Sequence, residues 1–379
     1  MAEFILETVT PVHIGTGNKY SGAEFVLKDG KLYRVSIDKL LKKLSESQIK
    51  DLTDRLEDYR FSLTDFLRGK DINLADIAKY AIRFEGDRGV KEISEQIKTN
   101  NRAYIPGSSI KGTIRTAIIY KTLKENYSIL DNELKQIKNN RRLMDNLNRF
   151  LDQRVDKKRL SRYDKRILNS FSGELKSTMS NVEQKLLRGA KNDAKNDLLK
   201  FLQITDSSTT ERLSILTVKS VGMSREGRSY SQIEAIEEGV VLDGSVVLNP
   251  IELNELGLSS KAKYLDKNFI LNAIYTFAED LKKLELEYAE EHNLNVNYFY
   301  ESEFDNQPNS PLLRMGADKG FLSNTIDLLI KANDPDFYWY LRFAAYRSYP
   351  YEFPKTRKLV FEDGKPKYPP GWVKLWVGD

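Results

Sequence analysis

The chain has 379 residues, 40% of them apolar and 11% aromatic, enough to fill the cores of two or three domains and to exclude global disorder. It carries no cysteine, which excludes disulfides and thiolate chemistry, and no apolar run approaches the roughly 18–20 residues of a membrane span, so a soluble protein is expected. The formal net charge is only +5, but residues 121–200 hold 20 Lys and Arg against 11 Asp and Glu while the rest holds 40 against 44, so one segment carries the basic character and suggests a polyanion partner.

In chain order, the opening "EFILETVTPVHIG" is β-branched and reads as a strand ending in a glycine-containing loop, "GTGNKYSG". No basic stretch precedes an apolar one there, so no secretory signal is expected, and a reducing cytoplasm suits the missing cysteines. The next two short runs flank Asp29-Gly30, a hairpin-turn signal. From Ile37 to about Arg60, Leu40, Leu41, Leu44, Ile49, Leu52 and Leu56 recur at helical intervals, and Ile72 to Ala81 suggests another short helix.

"RAYIPGSSIKGTIRTAIIYKTLKEN" reads as a strand end, a Pro-Gly turn and a helix. Residues 121–200 are helical in pattern, and the stripe Leu130, Leu134, Ile137, Met144, Leu147, Leu151 must pack on something. β character returns in "FLQITDSS", "RLSILTVKSVGM" and "GVVLDGSVVLNPIEL", with the polar "SREGRSYSQIEA" between the last two as a loop or protruding hairpin. Ile270, Ile274, Phe277, Leu281, Leu284 and Tyr288 then mark an amphipathic helix. Near the end, Phe337, Tyr340, Phe343 and Tyr346 are spaced as the core face of a helix, with base stacking as the alternative. The alternation implies an α+β fold with largely antiparallel sheets, divided into 1–120, a basic helical insertion at 121–200, and 201–379. His13 and His292 cannot build a histidine-rich metal site between them, and no cofactor is implied.

"YIPGSSIKGTIRTAI" sets Gly107 and Gly112 five apart, as in a P-loop. A P-loop needs Lys and then Ser or Thr after the second glycine, to neutralise phosphates and hold Mg²⁺. Here Thr113 follows Gly112 and Lys111 precedes it, so a nucleoside triphosphate is not expected. An anion still suits the segment: Ser108 or Ser109 can cap the helix start, leaving N–H groups pointing outward, and Lys111 and Arg115 share a helical face. Gly112 clears space for another backbone. The plain alternative is a strand, turn and helix with solvated charges.

"IPGSSIKGTIRTA" resembles the I-P-G-S-S-[IL]-K-G-x-[IL]-R signature of the RAMP proteins, RNA-binding subunits of CRISPR–Cas systems. "TVTPVHIGTGNKY" resembles that family's opening strand and loop, and "LLRMGADKGF" is similar to its glycine-rich loop. "FPKTRKLV" with "GWVKL" resembles the tail of the fifth subunits of type III-A (Csm) complexes. The resemblance implies a ferredoxin-like (RRM-like) βαββαβ core and three loops converging on one guide-RNA groove. They are His13, Gly15 and Gly17; Ser108, Ser109, Lys111, Gly112 and Arg115; and Arg314, Gly316, Lys319 and Gly320. It also implies a thumb hairpin at "VGMSREGRSYSQ", where Met223 would wedge between bases and Arg225 and Arg228 would hold phosphates. A polar surface loop is the alternative there.

The implied role is non-catalytic. Such a subunit caps the 3′ side of the guide RNA beside a neighbouring backbone RAMP subunit and supports guide 3′-end maturation. Other Csm subunits and recruited cellular 3′-exonucleases are the implied partners, with no membrane. One rival is the family member at the opposite, 5′-handle end; another is a metal-independent RAMP endoribonuclease using His13 as general acid/base. The early loop lacks an aspartate, which argues against target slicing. The basic lobe at 121–200 is open to RNA, a neighbouring subunit or a nuclease.

Overall fold

The fold is described from a computed structural model for residues 2–58, 60–86, 89–153, 159–189, 191–222, 225–248, 253–294, 296–345 and 354–378, the side chains of 225–229 and 345 excepted. The first part runs β1 (Ala2–Thr8), β2 (Gly15–Ser21), β3 (Phe25–Lys28), β4 (Lys31–Val35), α1 (Ile37–Leu41), α2 (Glu46–Arg55), α3 (Leu63–Leu67), α4 (Leu74–Ile77), β5 (Ala78–Phe84), β6 (Glu92–Gln96), β7 (Lys98–Thr99) and β8 (Arg102–Ala103). The helical middle holds α5 (Gly107–Glu125), α6 (Ser128–Lys138), α7 (Arg141–Asp152) and α8 (Arg162–Leu187). Then come β9 (Leu202–Ile204), β10 (Leu213–Gly222), β11 (Arg225–Ile236), β12 (Val241–Leu248), α9 (Lys267–Glu291), β13 (Leu312–Arg314), α10 (Asp327–Asn333), α11 (Pro335–Ala345), β14 (Arg357–Glu362), β15 (Lys365–Tyr368) and β16 (Trp372–Val377).

Asp29 and Gly30 both take positive φ, 50° and 70°, as the tight turn joining β3 to β4 requires. Two helix expectations need correction. The run from Ile37 breaks into α1 and α2 because Ser45 starts a new helix, its side chain and that of Gln48 each bonding the other's backbone N–H. The Ile72–Ala81 pattern yields only the one-turn α4. From Ala78 the chain alternates instead, Ala78 and Ile82 inward and Lys79, Ala81 and Arg83 outward, and pairs as β5.

Two sheets organise the molecule. The first has the order β13-β16-β1-β12-β9, antiparallel at every neighbour. Followed along the chain as β1–α5–β9–β12–α9–β16, it is the ferredoxin-like βαββαβ arrangement, with β13 added at one edge. Phe4, Leu6 and Thr8 point inward from β1. Helices α5 and α9 pack on that side, setting Ile110, Ile114, Ile270 and Leu271 beside Phe4 and Leu375. The second sheet runs β2-β6-β11-β10-β5-β4-β3, with β14 and β15 joined alongside β10. It is mostly antiparallel, with parallel pairs at β5–β10 and β6–β11.

Strands from 1–120 and from 201–379 interleave in both sheets, and residue 120 lies inside α5. One cluster of buried apolar side chains runs from Phe4 to Leu375 and takes in the helical lobe through Leu147, Phe150 and Phe171. A satellite around Leu40, Leu63 and Phe66 sits among α1–α4.

Candidate nucleic-acid interface

The first loop is built on a buried polar hub. Glu234 of β11 is 0% exposed and accepts hydrogen bonds from the hydroxyls of Tyr20 at 2.7 Å and Tyr80 at 2.8 Å, from the Gln96 N–H at 2.9 Å, and from the Lys98 ammonium. Burial first, and then the carboxylate, push both tyrosines well above the usual phenol range, so they stay donors. His13 is 5% exposed, with Nδ1 2.6 Å from the Glu234 carbonyl oxygen. Burial lowers its pKa and outweighs that hydrogen bond, so the ring is neutral near pH 7. The Gln96 side-chain oxygen accepts the Ile14 N–H at 2.7 Å. With this strand end held, residues 15–19 stand exposed, and Gly17 takes φ 87° with open space around it.

The second motif is placed differently from its expected chemistry. Helix α5 starts at Gly107 with Pro106 before it, and neither Ser108 nor Ser109 caps it. The Asp206 carboxylate accepts the Gly107 N–H at 2.9 Å instead, so the protein supplies its own anion at that N–H. A Cβ on Gly107 would fall 2.3 Å from the Ile204 carbonyl oxygen, so this glycine, not Gly112, marks a close backbone approach within the chain. Nothing lies within 4 Å of the Cβ position of Gly112, which is exposed. Arg115 is spoken for: it forks onto Asp197 at 3.1 and 2.8 Å and reaches Glu183 at 3.3 Å. Burial works to lower its pKa, but these carboxylates raise it on balance. Lys111 makes no hydrogen bond or ion pair among the described residues; burial lowers its pKa and Asp197 partly restores it.

In the third loop Arg314 is 4% exposed rather than facing solvent. It stands 3.5 Å from Glu285, which also takes Arg357 at 2.6 Å, and over the Trp372 ring at 5.4 Å. Gly316 turns at φ 83°, and a Cβ there would lie 2.5 Å from the His13 carbonyl oxygen, which accepts the Ala317 N–H at 2.8 Å. Lys319 donates to the Arg314 carbonyl at 3.4 Å. Burial, reinforced by the Arg314 charge, pushes its pKa down to about 8. Gly320 follows at φ 85°, exposed.

The first and third loops are therefore in direct contact. A cleft of about 510 Å³ is lined both by Glu183, a partner of Arg115, and by Phe321 of the third loop, but by none of residues 108–115. The polar stretch after β10 is a hairpin strand, since β10 and β11 pair from Leu213↔Ile236 to Gly222↔Arg225. Met223 lies outside the described residues, as do the side chains of Arg225 and Arg228. Phe337 and Phe343 are buried on α11, matching the core-face reading; Tyr346 lies outside the described residues. His292 terminates α9.

Sequence reasoning missed Glu234, Asp206, Asp197 and Glu285, the carboxylates that organise the three loops. Nothing local marks an acid that will meet a cation or a backbone N–H dozens of residues away. Among the described residues no group of His, Asp or Glu is arranged to hold a metal ion, and no helix is long and apolar enough to cross a membrane.

Comparison with known proteins agrees with this architecture. The chain is 34% identical over 137 residues to the CRISPR system Cms protein Csm5 of Methanocaldococcus jannaschii, covering 33% of each protein. It is 31% identical over 140 residues to the Csm5 of Streptococcus thermophilus, covering 32% of this chain and 38% of that one. The alignments thus span 33% and 38% of these curated relatives' lengths. Its fold is that of a chain in the Csm–crRNA–target RNA ternary complex of a type III-A CRISPR–Cas system, with TM-score 0.73, 24% identity, and 99% of this chain and 100% of that one covered. The crystal structure of T. onnurineus Csm5 is similar too, with TM-score 0.67, 22% identity and coverage of 97% and 99%. The RAMP superfamily profile matches residues 5–306, and with the ferredoxin-like sheet and glycine loops in place the chain belongs to that superfamily.

Proposed function

We propose that the chain is an RNA-binding subunit of a type III-A CRISPR complex that caps the 3′ side of the guide beside a backbone subunit and performs no chemistry itself. The observation that carries this reading is the junction of the first and third loops at the His13 carbonyl, made where Gly316 leaves no room for a side chain. Around it Gly15, Gly17 and Gly320 are exposed and Lys19 and Lys319 flank them, so a phosphodiester strand can approach backbone N–H groups without its bases being read. Lys111 of α5, whose side chain makes no ion pair among the described residues, is the cation that the second motif would add. Likeness to Csm5 proteins, and to a chain from a guide-containing complex, supports the placement in such an assembly. Recruited 3′-exonucleases would then trim the guide beyond this cap.

The test is single-stranded RNA binding by the full chain across a salt series. Lys111→Ala with Lys319→Ala is expected to lower affinity roughly tenfold and to reduce the salt slope by about 1, as loss of two phosphate contacts requires. Unchanged affinity and slope would remove these loops as the RNA site.

His13 as a general acid/base is the second reading, and its burial and bond to Glu234 speak against it, because a catalytic imidazole must reach the proton that it moves. His13→Ala should leave guide processing as it was. Loss of cleavage with binding retained would favour the endoribonuclease.

A further inference from the structure

The arginines of this chain divide sharply by partner. Outside one region, every described arginine side chain meets a carboxylate or an aromatic ring, Arg342 lying over Trp339 at 3.7 Å. The exception is where α7 and α8 begin. Arg141, Arg159, Arg162 and Arg166 are exposed, and their side chains make no hydrogen bond or ion pair among the described residues, nor does the side chain of Lys165 beside them. Among the described residues the Arg142 side chain meets the Tyr163 hydroxyl alone, at 3.2 Å, and that ring is 48% exposed.

The region is built, not frayed. The Arg142–Tyr163 bond and the Arg149–Asp164 pair at 2.5 Å tie the two helices together. Their apolar faces are sunk in the core through Leu143, Leu147 and Leu168, and Phe150 packs on Phe343 of α11 at 5.7 Å. Arg162 and Arg166 stand one turn apart and share a face, with Tyr163 three residues from Arg166. Among the described acids nearby, Asp164 is taken by Arg149 and Ser161, Glu174 accepts from Asn140 and Ser170, and Asp145 and Asp152 are exposed on α7.

We propose that this surface of the helical lobe is a second contact for single-stranded RNA, separate from the glycine loops. It rests on the reading that the chain binds RNA. The chemistry favours a nucleic acid over an acidic protein on two counts. Guanidinium forks fit phosphate oxygens in a bidentate way, and a half-exposed tyrosine held among them offers a base a stacking plane. A protein partner needs an apolar centre to its interface, and the exposed large aliphatic residues among those described, Ile5, Ile37, Leu41, Leu56, Val241 and Leu248, all lie outside α7 and α8, which leaves Tyr163 as the one large exposed ring in this patch among the described residues.

The experiment compares full-length protein on RNAs of about 8 and about 30 nucleotides, the shorter filling one site and the longer reaching two. Changing Arg142→Ala, Arg162→Ala and Arg166→Ala together should lower affinity for the long RNA roughly tenfold and flatten its salt slope by about 2, the share of three phosphate contacts, while sparing the short RNA. Tyr163→Ala alone should weaken long-RNA binding without changing the slope. Long-RNA affinity equal to the parent's in both variants would overturn this inference and leave the glycine-loop reading standing. A parent that binds no RNA would overturn both. Loss of a neighbouring subunit or of polyglutamate binding, with RNA binding intact, would show a protein contact and overturn it as well.

Discussion

Asp327, in the first turn of α10, faces the cleft shared with Phe321 and no cation bonds it among the described residues. Burial raises its pKa from 3.8 to about 6, and the Thr325 hydroxyl offsets only part of this. The folded state therefore holds the proton more tightly than the unfolded chain does. Stability from this group is full below about pH 3.8 and declines as pH rises to about 6, because the native state must then carry an unpaired buried charge. Asp327→Asn should raise the unfolding free energy at pH 8 by about 1–3 kcal/mol and remove that part of the pH dependence, as urea melts at several pH values would show. A variant with the parent's pH profile would place the dependence elsewhere. At this scale the sequence was partly legible. It put Lys111 and Arg115 on one face of a helix, but not the Asp197 carboxylate, 82 residues on from Arg115, that neutralises one of them.

Helix α5 is the element that links the two sheet-forming parts of the chain, and its entry is tightly specified. Gly107→Ala would drive a methyl group into the Ile204 carbonyl and the neighbouring Thr205 backbone, so either α5 or β9 must move. A loss of about 2–4 kcal/mol is expected, in the range of severe backbone clashes. Asp206→Ala removes only the carboxylate at the first N–H and should cost about 1 kcal/mol. Chemical denaturation of both variants checks the order, and a larger loss for Asp206→Ala would show that the cap, not the close approach, holds the helix. Elements with strong local signals were readable, the Asp29-Gly30 hairpin and α9, whereas the stretch that pairs as β11 was left open between a loop and a hairpin. The break at Ser45 had a readable signal too, since Ser45 and Gln48 have capping-box spacing. The four residues of α4 and the strand after it share one short apolar run, where helical and extended periods do not separate.

At the scale of the molecule, β1 lies between β12 and β16, and the Trp372 N–H bonds Thr10 Oγ1 across 362 residues. Neither composition nor spacing announces that pairing; only the family resemblance implied a βαββαβ core. Deleting residues 371–379 would strip β16 from both β1 and β13 and should abolish cooperative unfolding and leave the protein prone to aggregate. Calorimetry that still showed one sharp transition would mean that the remaining strands close the sheet without it.

The same pairing sets a timetable for manufacture. On the ribosome β1 emerges some 360 residues before its β16 partner, a wait on the order of 20–70 s at ordinary elongation rates. Through that interval the strand has an unpaired edge, and the sheet beneath α5 and α9 cannot be finished. A nascent or prematurely stopped chain thus cannot present the completed loop junction, because Gly371, whose N–H bonds the Pro11 carbonyl, arrives only with β16. Any partner that engaged the chain through that junction would accept only copies that already carry β16.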